Sequence, residues 1–282
     1  MIDEELIWEQ VWPVLAAVVE AAMREDETAV APNLLPGSAA ADLLDLFGLT
    51  VFDILLKTVL NQDQLNLIQV VDTSEGVFIE FAWAKPMFGQ DGAPIDTTVS
   101  VLLRMENGRF FVTDVNPGPL DLLLTEARAR AILATSKLLG QRDELPLEPW
   151  ILPLALFCGL LPLPLRPDSL GDPVETLFLP GLQQRERGVM ALVRARRLWR
   201  DFKAVQSLPT GSLPVWAAAV EWLMNEQNSQ QVAATAVAHL YNVSPVKLND
   251  HARQIKQALG ITGIDYRYAD WQMIDVLYQD ES

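Results

Sequence analysis

Three residues in the first half of the chain could line a pocket for a small molecule. Asp114 lies on the same face of a predicted strand as Phe110 and Val112, with Asp96 and Trp83 as candidate neighbours. A carboxylate acts as a general base when a tyrosine or histidine beside it can donate a proton. Both histidines and all four tyrosines lie in the second half of the chain. We therefore treat Trp83, Asp96 and Asp114 as ligand-pocket candidates and expect no catalytic residue.

Other patterns for catalysis or metal binding are weak. His239 and His251 lie on separate predicted helices, with only Asp250 and Glu226 as nearby carboxylates. The single cysteine, Cys158, excludes an internal disulfide and a cysteine-based metal site. No glycine-rich phosphate-binding motif opens a predicted helix. We expect neither a metal nor a cofactor.

Cations in the second half cluster on one face of a predicted amphipathic helix, residues 189–205, whose other face is apolar. They are Arg196, Arg197, Arg200 and Lys203. Like charges on one helix face repel one another unless phosphate, an acidic partner or solvent compensates them. This face is therefore a candidate surface for nucleic acid or a protein partner, and a solvated face is the default alternative.

Residues 229–259 predict two short helices joined by a tight turn. Asn242 suits a left-handed turn, Ser244 is the predicted cap of the second helix, and Pro245 occupies its first position. The predicted apolar face of the first helix consists of Val232, Ala236, Val237 and Leu240. This arrangement is typical of a helix-turn-helix.

The segment resembles the helix pair that ends a cyclin-like repeat, as in transcription factor IIB and some bacterial sigma-type regulators. The matching residues are Ala238, Asn242, Val243, Ser244 and Leu248, whereas His251 replaces an aliphatic residue of simpler helix-turn-helix families. The resemblance implies that Lys247, Asn249, Asp250 and Arg253 face outward where base edges are read, with Lys256 toward phosphate. Any two amphipathic helices joined by a turn would give the same pattern.

Charge is distributed unevenly along the chain. It has 21 basic and 37 acidic residues and a net charge of −16. Residues 1–140 carry 8 basic and 21 acidic residues, whereas residues 183–260 carry 10 basic and 5 acidic residues. The basic region could bind nucleic acid. The favoured interpretation is that it docks against the protein's own acidic part or an acidic partner.

The first part of the chain predicts helices followed by strands. The expected helices are 6–23, 38–47 and 50–60, the last with a capping box at Thr50 and Asp53. The expected strands are 65–71, 77–83, 97–105 and 109–115, with a hairpin turn at Asn107-Gly108. A further helix is expected up to residue 139 and a linker at 141–149.

This order of elements resembles the NTF2-like, or SnoaL-like, cone fold over roughly residues 1–118. The resemblance implies an α+β fold in which a curved antiparallel sheet wraps over the N-terminal helices, and a sheet surface that such families bury by homodimerisation. We predict an α+β cone-like domain at residues 1–140 and an all-α domain at 141–282.

An apolar run at residues 150–165 is too short to span a membrane and is interrupted by prolines. It is interpreted as a buried connector, and its alternative is an exposed strip that binds a partner. The acidic N-terminus does not resemble a secretory signal. With the lone cysteine, these features predict a cytoplasmic, prokaryotic protein without a membrane partner.

Together these features favour a non-enzymatic binding protein whose partner is another protein or a second copy of itself. The first alternative is a DNA-binding or transcription-associated regulator. The second alternative is a small-molecule isomerase or hydrolase of the cone fold.

Overall fold

The chain forms two compact units, Met1–Pro164 and Leu165–Ser282. The computed structural model describes residues 4–56, 65–73, 76–83, 87–88, 94–95, 100–116, 151–206, 211–265 and 267–269. The predicted domain boundary at residue 140, the linker at 141–149 and the helix that should end near residue 139 lie outside these residues. The first unit extends past the predicted boundary because the helix at Ile151–Phe157 contacts a helix of the N-terminal region.

Among the described residues, four helices precede the sheet of the first unit. They are α1 (Glu4–Met23), α2 (Glu27–Val30), α3 (Ala39–Phe47) and α4 (Leu49–Leu56), with a 3-10 turn at Ala31–Asn33. Ser38 caps α3, since its hydroxyl accepts a hydrogen bond of 3.2 Å from the Ala41 N–H. The predicted capping box at Thr50 is wrong. Gly48 ends α3 with a φ of 70° and α4 begins at Leu49, so Thr50 already lies within the first turn.

The sheet of the first unit is an antiparallel meander. Its strands are β1 (Leu65–Thr73), β2 (Gly76–Trp83), β5 (Ser100–Glu106) and β6 (Arg109–Asn116), in the order β1-β2-β5-β6. A two-stranded ribbon, β3 (Met87–Phe88) with β4 (Pro94–Ile95), was not predicted. The hairpin at Asn107-Gly108 is confirmed, with φ angles of 52° and 77°.

Helices and sheet share one hydrophobic core in this unit. Helices α1 and α3 contact β6, and Leu15, Leu43, Val101 and Val112 are almost fully buried. The α+β class is therefore confirmed for the first unit.

The apolar run at residues 150–165 contains a helix, α5 (Ile151–Phe157), that contacts α4. Pro153 lies in its first turn, where the missing N–H breaks no helical hydrogen bond. Leu156, Phe157 and Cys158 are buried, as expected for a connector inside the core. Within the described residues, no helix has the length and apolar character needed to cross a membrane.

The described residues of the second unit contain helices and no strand. The helices are α6 (Glu175–Gln184), α7 (Val189–Val205), α8 (Leu213–Gln227), α9 (Ala234–Leu240) and α10 (Pro245–Leu259), with a 3-10 turn at Pro167–Ser169. Helix α7 has the predicted bounds and buries the predicted apolar face. The rings of Trp199, Phe202 and Trp216 pack together with centroids 5.2–5.8 Å apart.

Candidate binding groove beside the helix-turn-helix

The predicted helix pair is present, and α8 packs against both of its members. Asn242 takes the left-handed conformation with a φ of 52°, and Pro245 is the first residue of α10. Ser244 stands at the cap position with extended backbone, but its side chain makes no capping hydrogen bond. The turn is closed by the Val243 N–H, which donates to the Ala238 carbonyl over 2.9 Å. The pair α9 and α10, joined by this turn, thus packs with α8 into one three-helix unit.

The core of this unit differs from the predicted apolar face. Ala218, Val237, Ala238 and Leu248 are buried together, with Trp222, Ala234, Tyr241 and Val243 packed around them. Val232 and Leu240 are 37% and 54% exposed, and Ala236 is also exposed. The prediction was wrong for these three residues. Val232 precedes α9, and the face of α9 that packs on α8 carries positions 234, 237 and 238 instead of 236 and 240.

The outer face of α10 is polar and open to solvent. Leu248, Ala252 and Ile255 point into the core. The four residues that the resemblance predicted to face outward are exposed: Lys247, Asn249, Asp250 and Arg253. Arg253 lies 3.3 Å from Asp250, and both side chains are more than half exposed, so this pair adds little stability. The polar face of α10 is therefore available for contacts with another molecule.

A groove of about 760 Å³ runs beside α10. Its apolar floor includes Trp222 of α8, Ala234 of α9 and Ile261, which follows α10. Its rim carries polar groups of Asn249, Arg253, Lys256, Gln257 and Thr262. Lys256 is partly compensated, since its ammonium lies 2.8 Å from Glu226. No carboxylate is among the described residues that line the groove. We call this feature the α10 groove.

A buried cluster fixes α9 on its support. Glu221 of α8 is only 3% exposed and is paired with Arg185 at the end of α6. Tyr241, directly after α9, donates a hydrogen bond of 2.5 Å to Glu221, and Arg185 donates one of 3.1 Å to the Tyr241 hydroxyl. Burial, followed by the charge of Glu221, raises the pKa of Tyr241. The tyrosine therefore stays protonated and serves as a donor.

His251 fills a place between helices. Its ring lies 4.1 Å from the Trp216 ring, so the position that should be aliphatic by resemblance is occupied by an aromatic contact. Both ring nitrogens are buried, and the backbone of Lys247 contacts the ring. Burial lowers the pKa of His251, which favours the neutral ring.

The cationic face of α7 is compensated largely by carboxylates of the same unit. Arg196 lies 3.2 Å from Glu175, and Lys203 lies 2.6 Å from Asp172. Burial opposes ionisation of Asp172, but hydrogen bonds from Lys203 and from backbone N–H groups lower its pKa overall.

The other two cations of this face also lie close to groups of the protein. Arg197 and Asp201 are 3.7 Å apart on α7 itself. Arg200, the fourth cation, is half-buried. These ion pairs offset the repulsion among the cations of α7 without an external phosphate.

The ligand-pocket candidates of the first unit are placed only in part. Asp114 is 4% exposed, and its Oδ1 accepts a 3.0 Å hydrogen bond from the Val115 N–H. A bulge at Thr113 precedes it, because Leu102 pairs with Asp114 while Leu103 pairs with Val112. Trp83 is the last residue of β2, opposite Leu65. Asp96 lies outside the described residues, so a pocket formed by these three side chains stays a prediction.

Sequence reasoning missed several residues that shape the α10 groove and its support. Glu221 and Trp222 lie on α8, Tyr241 follows α9 and Ile261 follows α10. A glutamate within the otherwise apolar run of α8 was the available signal for a buried ion pair. Among the described residues, no group of three side chains could hold a metal ion.

Comparison with family models, with curated proteins and with solved structures gave no match for this chain.

Proposed function

We propose that this chain is a non-catalytic binding protein that contacts a protein partner through α10 and the groove beside it. The single observation that carries this proposal is the contrast between two charged helix faces. Arg196 on α7 forms a largely buried ion pair with Glu175, whereas Arg253 on α10 forms one with Asp250 that is more than half exposed and lies beside an open groove. An exposed ion pair of this kind contributes little stability, so its side chains can exchange partners with an incoming molecule.

The proposal for the first unit is a cone-like module of the NTF2 type that holds a ligand or a partner, including a second copy of the chain. The order of helices followed by an antiparallel meander supports it. Asp114 is expected to have a structural role, because its carboxylate accepts a hydrogen bond from the next backbone N–H. Turnover of a small molecule that is lost in Asp114→Asn would contradict the non-catalytic assignment.

The experiment for the partner-binding function compares the wild-type chain with a Lys247→Glu/Arg253→Glu double variant. Both side chains are exposed, so the variant should keep the fold. Immobilised proteins are used to isolate partners from cells of the source organism, and the bound proteins are quantified. We expect partners that are retained by wild type and lost by the variant. Identical sets of bound proteins would overturn the use of α10.

Duplex DNA is the second candidate partner. The specific observation in its favour is the exposed face of α10 behind the turn at Asn242, where Lys247, Asn249 and Arg253 are the side-chain types that contact base edges and phosphates. A labelled mixed-sequence duplex is titrated by fluorescence anisotropy at about 50 mM and about 200 mM salt. Affinity that falls by orders of magnitude between these salt concentrations would favour DNA, and absence of binding at the lower one would remove it.

A further inference from the structure

The shape of the α10 groove favours an occupant that inserts into it. A helix that reads DNA is itself inserted into the major groove, so the protein surface that meets DNA is convex. Here three elements surround a concave space beside the helix: α8 contributes Trp222, the start of α9 contributes Ala234, and the segment after α10 contributes Ile261. Its volume of about 760 Å³ is within the range of ligand sites, and the groove is open to solvent.

The chemistry of the lining defines what that occupant must carry. An apolar floor gains free energy only from apolar groups that leave water. The rim offers the guanidinium of Arg253, the ammonium of Lys256 and the amide of Asn249, which together suit carboxylates. The groove lies in the basic part of a chain of net charge −16, and its described lining carries two cations and no carboxylate; Asp250 and Glu226 pair with these cations from outside the lining.

We propose that the α10 groove binds an acidic, amphipathic peptide segment of a partner protein, with an apolar side chain on Trp222 and a carboxylate on Arg253. The inference rests on the proposed function and names the partner's chemistry. Arg253 is 66% exposed and its pairing with Asp250 is weak, so its guanidinium can exchange that partner for an incoming carboxylate. Phosphates of a duplex would match the rim alone and gain nothing from the apolar floor.

The test uses synthetic peptides and matched variants of the full chain. Fluorescein-labelled peptides share a Trp-Leu-Leu core and carry flanks of Glu, Gln or Lys. Two pairs of variants place the same change inside and outside the groove. Arg253→Glu and Gln257→Glu alter the lining, whereas Lys247→Glu and Gln254→Glu alter exposed residues of α10 outside the lining. Circular dichroism and urea denaturation confirm that each variant remains folded.

The expected result is affinity in the order Glu, Gln, Lys flanks. Arg253→Glu and Gln257→Glu should each weaken the Glu-flanked peptide by about tenfold, whereas Lys247→Glu and Gln254→Glu should change it by less than about twofold. The inference would be overturned if the affinity were the same for all three peptide flanks, or if it fell equally in all four variants. No peptide binding would overturn it as well, since the cores and flanks supply both chemistries that the groove requires.

A labelled mixed-sequence duplex is measured with the same variants. DNA binding that weakens in all four variants, with no peptide binding, would overturn the peptide inference while leaving the second candidate function in place. If neither peptide nor duplex binds, and the double variant of Lys247 and Arg253 also retains every partner of wild type, the proposed function fails together with the inference. The two failures are thus distinguishable.

Discussion

Tyr241 donates a hydrogen bond of 2.5 Å to Glu221, and this bond ties the turn of the helix-turn-helix to the helix beneath it. Glu221 is buried, and its charge is compensated by Arg185 from a third helix. The end of α9 is therefore held by a charged group and not only by apolar contacts. The same helix α9 contributes Ala234 to the α10 groove, so this bond helps to hold a groove-lining helix against α8.

Replacing Tyr241 by Phe should destabilise the protein by about 1–3 kcal/mol, because a buried carboxylate loses a hydrogen-bond donor. Urea denaturation measures the free energy of unfolding. Glu221→Gln and the double variant complete a double-mutant cycle. We expect the double variant to be less destabilised than the sum of the two single changes. Strict additivity would show that the hydroxyl and the carboxylate do not act together.

Gly181 of α6 leaves room for this cluster. A Cβ at this position would lie 2.6 Å from Arg185 Nη2 and 2.9 Å from the Tyr241 hydroxyl oxygen. In an exposed helix, Gly→Ala stabilises by about 1 kcal/mol. Here we expect Gly181→Ala to be neutral or destabilising, because the methyl group pushes the rigid tyrosine ring away from Glu221. Urea denaturation in the wild-type and Tyr241→Phe backgrounds gives the comparison. Part of the usual helix gain should return when the hydroxyl is absent, although Arg185 still faces the methyl group, and a gain of equal size in both backgrounds would contradict the clash with the hydroxyl.

Local patterns predicted those elements whose signals lie within one segment. Helix α7 has a complete apolar face and no proline, and the Asn107-Gly108 hairpin has the residues that its turn requires. Helix α6 escaped prediction because it contains Pro180 and begins with a stretch that reads as a short strand. Helix α5 was not predicted because it contains Pro153. In both cases tertiary packing outweighs a weak local propensity.

Only the polar side of the α10 groove could be predicted from the sequence. The outward direction of Lys247, Asn249 and Arg253 follows from helix periodicity once the turn at Asn242 is recognised. The floor could not be predicted, because Trp222 and Ile261 are brought together by the packing of α8 against α10. The ion pairs that compensate the cations of α7 could not be predicted either. Their carboxylates, Asp172 and Glu175, precede that helix in a segment that carried no structural signal.

His251 should make stability dependent on pH near neutrality. Its pKa is lowered by burial, while a backbone hydrogen bond at Lys247 and the charge of Asp250 oppose the shift and the charge of Lys247 adds to it. The pKa of this histidine is lower in the folded protein than in the unfolded chain, where it is about 6.5. The unfolded chain therefore binds the proton more readily, and the protein loses stability as the pH falls below that value. We expect the urea midpoint to decrease between about pH 7.5 and about pH 5.5.

The variant His251→Gln provides the control for that titration. It removes the titrating ring while His239, which is exposed, remains. The slope of the midpoint against pH should become shallower in the variant. An unchanged slope would assign the pH dependence to other groups and would contradict the role of the His251–Trp216 contact.

Arg196 and Arg197 are adjacent on α7 but should differ sharply in their effect on stability. The side chains of Arg196 and Glu175 are 12% and 6% exposed, and Arg196 also donates a 2.8 Å hydrogen bond to the Ser169 carbonyl. Arg196→Ala leaves a buried carboxylate without this partner and should destabilise by roughly 3 kcal/mol. Arg197 and Asp201 are each about one-third exposed, so Arg197→Ala should cost less than about 0.5 kcal/mol.

The same two variants separate a structural role of α7 from a phosphate-binding role. If α7 bound DNA, both changes would weaken salt-sensitive binding to a similar degree, because each removes one cation from the same helix face. If the ion pairs serve folding, urea denaturation will separate Arg196→Ala from Arg197→Ala while any duplex affinity stays equal to that of the wild type. Equal stability of the two variants would contradict the pairing of Arg196 with Glu175, and equal loss of duplex affinity would return the cations of α7 to a role in nucleic-acid binding.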